Sequence, residues 1–249
     1  FEGEMNIQEI TNKYCRSLSI PQVMLQIHYE KRLHLYSEIS ATAIHKSIIV
    51  HCVASWQSCV ENLTYALHSN LHLTTASENP NTILNFIRNF STPSSQKVSF
   101  LFNAFNINIT NSWTFDQSKK VLLQLNGVIP QLLLKSNYNK LSIDEELDAW
   151  VNLRHQVAHG DENIDLTNMS AIYPQVNRLS RISSWQCLNF FYSLGLTLIK
   201  DTAKHLNLDE APTNINLNFL ESNLRPIHSI SESLENIKNK EIDLKQYFN

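Results

Sequence analysis

Arg154, His155 and His159 stand close together in LDAWVNLRHQVAHGD, residues 147–161. Residues of these two types, at this spacing, suit chemistry on phosphates. A guanidinium stays charged at cellular pH and can fork onto two phosphate oxygens. An imidazole takes up and returns a proton near neutrality. At about 100° per residue, Leu147, Trp150, Val151, Val157 and Ala158 fall on one helical face, with Arg154 among them. A permanent positive charge on an apolar stripe has to meet an anion, a partner chain or a ligand phosphate. His155 and His159 follow on the adjoining face, one turn apart.

Two plainer readings compete. Basic residues near a helix C-terminus offset the macrodipole, and Gly160 is the residue type that ends a helix. That role suits a side chain in water better than one on an apolar stripe. Alternatively, Arg154 pairs within the chain with a carboxylate, Glu61 being the best candidate. A buried ion pair of that kind returns little stability for its desolvation cost. Other candidates are weaker. His68 and His72 have the spacing of helical metal ligands, but no Glu-x-x-His, His-Glu-x-x-His or Cys-x-x-Cys run completes a site, so no metal or cofactor is expected. Lys119 with Lys120 and Lys200 with Lys204 read as solvated faces; Arg178 and Arg181, which closely follow the motif, are secondary choices for holding a substrate.

The elements that must position these residues read as helices throughout, and strand-like alternation of useful length is hard to find. The fold class is all-α. Pro21 suits the first turn of a helix running through VMLQIHYEKRLHLYSEI, and a longer helix spans about residues 42–68. Asn79-Pro80-Asn81 stops the chain and restarts it into TILNFIRNF, and an amphipathic stretch covers 97–105. Asp116 can cap a helix reaching about residue 135, bent by Gly127 and Pro130. The motif helix is expected from Ser142, with Glu145 completing a capping box, to Gly160. A last helix, from about Pro174 to His205, carries Trp185, Leu188, Phe191, Leu194 and Leu198. This organisation predicts an N-terminal helical extension over 1–20, one helical-bundle domain over 21–206 and a C-terminal connector and tail over 207–249.

Composition narrows the function. With 249 residues, 43% of them hydrophobic and 17% charged, the chain can bury a substantial core. Its only glycines are Gly3, Gly127, Gly160 and Gly195, which leaves almost no room for glycine-rich phosphate loops or nucleophile elbows. A net charge of -3 gives no global attraction for nucleic acid, so any such binding needs a local patch. The cysteines, Cys15, Cys52, Cys59 and Cys187, form no chelating pair and read as reduced core thiols of a cytosolic protein. The N-terminal stretch is unlike a signal peptide, and no run approaches the roughly 18 uncharged apolar residues of a membrane span. Cytoplasmic localisation is therefore expected. The chain opens on Phe1, as a piece of a longer protein would.

Arg154, four intervening residues and His159, with a polar residue after the arginine and glycine after the histidine, resemble the Arg-x4-6-His signature of the HEPN superfamily. Trp56 and Glu61 in ASWQSCVENL, Asn79-Pro80 before TILNFI, Trp113, and then LRHQVAHG follow an order similar to the RiboL-PSP type of HEPN domain. The resemblance covers about residues 23–205, and His155 stands where the family more often has asparagine or aspartate. It implies an antiparallel helical bundle that dimerises through the motif helix. It also implies a metal-independent endoribonuclease, commonly a toxin or antiviral effector, with room for a controlling antitoxin or sensor partner. Arg154, His159 and His155 would be its catalytic residues, supported by Asn152 and Glu61. The alternative is a non-catalytic HEPN dimer that binds RNA, nucleotide or protein. Retention of both Arg154 and His159 favours the enzyme.

Overall fold

Asn6 opens the first helix by a reciprocal cap, its side chain accepting from the Glu9 N–H at 2.8 Å while the Glu9 carboxylate accepts from the Asn6 N–H at 3.0 Å. The structure is a computed structural model that describes residues 6–29, 38–70, 80–109, 113, 140–161, 163–173, 176 and 178–208. The chain divides into two units, Phe1–Thr213 and Asn214–Asn249, and the second lies outside the described residues.

Seven helices and no strand occur among the described residues: α1 (Ile7–Tyr29), α2 (Glu38–Asn70), α3 (Pro80–Arg88), α4 (Ser95–Asn103), α5 (Lys140–His159), α6 (Thr167–Ile172) and α7 (Arg181–His205). The chain is all-α, as its periodicity predicts. The central helix is α2, which packs against α1, α3, α4, α5 and α7. It buries Ile48, Cys52, Val53, Trp56, Cys59, Val60, Leu63 and Leu67, a stripe at helical spacing. Every member of the predicted α7 run, Trp185, Leu188, Phe191, Leu194 and Leu198, is buried as well.

Several boundaries differ from the sequence reading. The helix expected to start at Pro21 starts at Ile7: residues 7–20 of the N-terminal extension are helical, as expected, but run continuously into it, so that Pro21 lies in the helix interior. Ile7, Ile10, Tyr14, Cys15 and Leu18 are buried, and that packing outweighs the backbone hydrogen bond a mid-helix proline removes. The motif helix starts at Lys140, so Ser142 and Glu145 lie inside it and not at its start. The last helix starts at Arg181, because Ser180 and Ser183 cap one another there. The helix expected over 116–135 lies outside the described residues, as does the tail beyond Leu208.

The close approach of α1 and α7 depends on Gly195. A side chain there would overlap the Tyr14 ring, whose hydroxyl donates to the Phe191 carbonyl. Burial pushes the Tyr14 phenol well above its ordinary pKa and keeps it a neutral donor. All four cysteines are buried and free. Burial also raises the thiols of Cys15, to about 11, and of Cys59 and Cys187. No described helix is long and apolar enough to cross a membrane.

Candidate functional site

The side chains that could act on a phosphate sit on the last turns of α5, so the site begins with what holds that helix. Ile143, Leu147, Trp150, Val151 and Leu153 are buried, and so is the carboxyl group of Glu146 in their midst. Glu146 accepts from the Trp150 indole at 3.1 Å, one turn on, and from the Tyr173 hydroxyl. On the outer face, Asp148 accepts from the backbone N–H and the hydroxyl of Ser95, at 2.8 and 2.7 Å. It thereby caps α4, whose own N-cap residue Ser94 makes no side-chain cap. From the other side, α2 holds the link before α4: Trp56 donates to the Pro93 carbonyl and Gln57 to that of Phe90. Trp56 also meets the edge of Trp113 at 6.3 Å between centroids, which gathers the tryptophans of the sequence pattern into one core.

The C-terminal end of α5 is closed by Gly160 at φ 75°, a left-handed conformation glycine adopts without strain. The Gly160 N–H donates to the Val157 carbonyl and the Asp161 N–H to that of Gln156, a six-to-one and five-to-two pattern that satisfies the last carbonyls. His159 is thus the final helical residue and stands in solvent. His155, also exposed, meets it edge to face with 4.3 Å between ring centroids. Two accessible imidazoles are therefore in contact, a pair suited to proton transfer.

Arg154 is half-buried, and its Nε is shielded from solvent with no hydrogen-bond partner among the described residues. Its neighbours on the predicted apolar stripe divide by height: Leu147, Trp150 and Val151 are buried, Val157 is half-buried and Ala158 is exposed. The stripe emerges from the core where the arginine sits. Glu61 accepts instead from Gln57 at 3.0 Å, and no ion pair joins it to Arg154 among the described residues. The intrachain pair weighed from the sequence is not formed. At about 100° per residue, Arg154 lies about 100° round the axis from His155 and about 140° from His159, so the arginine and the imidazoles of one chain do not share a face.

Asn152 is exposed on the same face as His155 and His159. Arg178 is exposed ahead of α7; Arg181 opens α7, and its side chain lies outside the described ones. Among the described residues no three His, Cys, Asp or Glu side chains are grouped as metal ligands would be. Sequence reasoning missed Glu146, Gln156 and Asp148. Glu146 carried a signal, since it shares the stripe of Ile143 and Trp150 and can meet Trp150 one turn on. Gln156 and Asp148 carried none, because their partners Asp165 and Ser95 come together only through the fold.

The RiboL-PSP-HEPN family model matches residues 25–191, a span that takes in the motif end of α5 and the first half of α7. No curated protein and no solved structure matches the chain.

Proposed function

Because the chain belongs to the RiboL-PSP-HEPN family, whose HEPN domain supports a ribonuclease or RNA-binding role, we propose that it is a metal-independent endoribonuclease with a composite site built by two copies. The observation that carries this reading is the divergence of Arg154 from the imidazoles. A guanidinium whose Nε has no partner among the described residues, and a pair of exposed histidines on another face of the helix, complement one another across a two-fold axis.

The chemistry follows from the substrate. RNA carries its own nucleophile beside the scissile phosphate, and such intramolecular attack has a high effective molarity. His159 of one copy takes the proton from the 2′-hydroxyl as its oxygen bonds to phosphorus. The bond from phosphorus to the 5′-oxygen breaks, and that oxygen takes a proton from His159 of the second copy. The products are a 2′,3′-cyclic phosphate and a free 5′-hydroxyl. Arg154 forks onto the non-bridging oxygens, where charge builds in the transition state. His155 and Asn152 orient the substrate and the acting imidazole. An enzyme of this kind suits a toxin or antiviral effector of the cytoplasm, restrained by an antitoxin or sensor.

The test is incubation of purified protein with RNA in EDTA, comparing wild type with Arg154→Ala and His159→Ala. Wild type should cut and leave cyclic phosphate ends, and His159→Ala should lose about 10²- to 10⁴-fold, the worth of one general acid or base. Binding without cutting would favour the non-catalytic dimer. Cleavage that survives both substitutions, or vanishes with EDTA, defeats the mechanism.

A further inference from the structure

Residues that follow α5 are fastened back onto it by two side chains. Gln156 donates from Nε2 to the Asp165 carbonyl at 3.3 Å and accepts at Oε1 from the Asp165 N–H at 2.7 Å. One amide thus supplies the pairing a neighbouring strand would give. Asp165 in turn accepts from the N–H and hydroxyl of Thr167, at 2.9 and 2.6 Å, where α6 begins. Beyond α6, Tyr173 donates to the buried Glu146. Asp161 and residues 163–173 form a strap along α5, tied at Gln156 and again at Glu146.

The direction of that strap bears on the site. Gln156 lies about 60° round the axis from His159, on the side away from His155, and Arg154 lies about 100° beyond His155 in the other direction. At the end of α5, then, the order is strap, His159, His155, Arg154. Asp161, Asn163, Asp165 and Thr167 on the strap are exposed. Carboxylates on that flank repel a phosphate backbone, while Arg154 attracts it. Both hydrogen bonds of Gln156 are solvent-exposed, and exposed bonds add little to global stability, so the effect of the clamp is where it puts the strap.

We infer that Gln156 is a positioning residue of the RNA-cleaving site: through Asp165 it holds Asp161 and residues 163–166 as a wall beside the His155–His159 pair and leaves the arginine side as the path for RNA. This rests on the ribonuclease reading above. Gln156 acts through the strap, so its loss should disturb the imidazoles without removing any acid, base or phosphate contact.

The test uses the full chain with Gln156→Ala and Gln156→Glu, the second of which keeps the acceptor for the 2.7 Å bond and loses the donor. Two readouts are taken: the through-space NMR contact between the His155 and His159 rings, and kcat and KM on an RNA oligonucleotide. In Gln156→Ala the ring contact should weaken or split into several environments while the thermal midpoint stays put. Its kcat should fall about ten- to a hundred-fold, the scale of a misplacement near 1 Å. KM should hold within about twofold, as expected when the loss falls on the transition state. Gln156→Glu should lie between. A variant that keeps the wild-type ring contact and kcat overturns the inference, as does a kcat that falls only with the folded fraction. If wild type cuts no RNA the ribonuclease reading fails by itself, and the ring contact in Gln156→Ala still decides whether Gln156 positions the pair.

Discussion

Gly195→Ala should destabilise this protein, although alanine is the better helix former. Within α7 the substitution would by propensity gain up to about 1 kcal/mol. A Cβ at that position, however, falls on the Tyr14 ring and 2.5 Å from its hydroxyl oxygen. Tyr14 is fully buried, with Cys15 and Leu18 beside it in the core, and its ring cannot yield without moving α1. Overpacking costs about 1–3 kcal/mol. If the ring shifts, the bond from the Tyr14 hydroxyl to the Phe191 carbonyl breaks inside the core, adding about 1–3 kcal/mol. The net loss should be about 2–4 kcal/mol, or roughly 5–15 °C in Tm for a chain of this size. Urea denaturation of wild type, Gly195→Ala, Tyr14→Ala and the double variant forms the cycle. With Tyr14 cut back to alanine the clash is gone, and Gly195→Ala should become neutral or stabilising. A stabilising Gly195→Ala in the presence of Tyr14 would refute the claim that the missing side chain sets the approach of α1 to α7.

Asp148→Ala removes both bonds to Ser95, and with them the cap of α4, so it should cost about 1–2 kcal/mol in urea denaturation. Ser95→Ala in that background should add little, because the two share one interaction. Asp165 gives a pH signature: bonds from the Thr167 hydroxyl and N–H hold its carboxyl below the ordinary carboxylate range. The folded pKa is thus below the unfolded one. The contribution should be complete above about pH 4, the unfolded value, and be lost as pH falls through the folded one. Because Asp165 is exposed, the effect should be small; comparing the acid limbs of wild type and Thr167→Val by denaturation at several pH values should show the two converging at low pH.

The end of α5 was legible because local rules govern it. Gly160 after a periodic run marks a stop, the 3.6-residue period gathers Leu147, Trp150 and Val151 onto one face, and His155 and His159 one turn apart must be neighbours. The all-α class and the buried run of α7 were fixed likewise by periodicity. Boundaries set by local capping were read less well. The Asn6 and Glu9 pair was overlooked in favour of Pro21, because proline is a signal of helix starts only where long-range packing does not bury it within a helix.

What only tertiary structure decided is how deep each residue lies and what it meets. Periodicity ranks Arg154 with Trp150, yet one is half-buried and the other fully buried, since the helix leaves the core between them. The pairing of Glu61 with Gln57 instead of Arg154, the Asp148 cap on α4 and the Gln156 clamp on Asp165 all join residues by distance in space. A helix's amino-acid order fixes the angle at which each side chain leaves its axis. Only the packing of the other helices fixes what stands at the end of that direction.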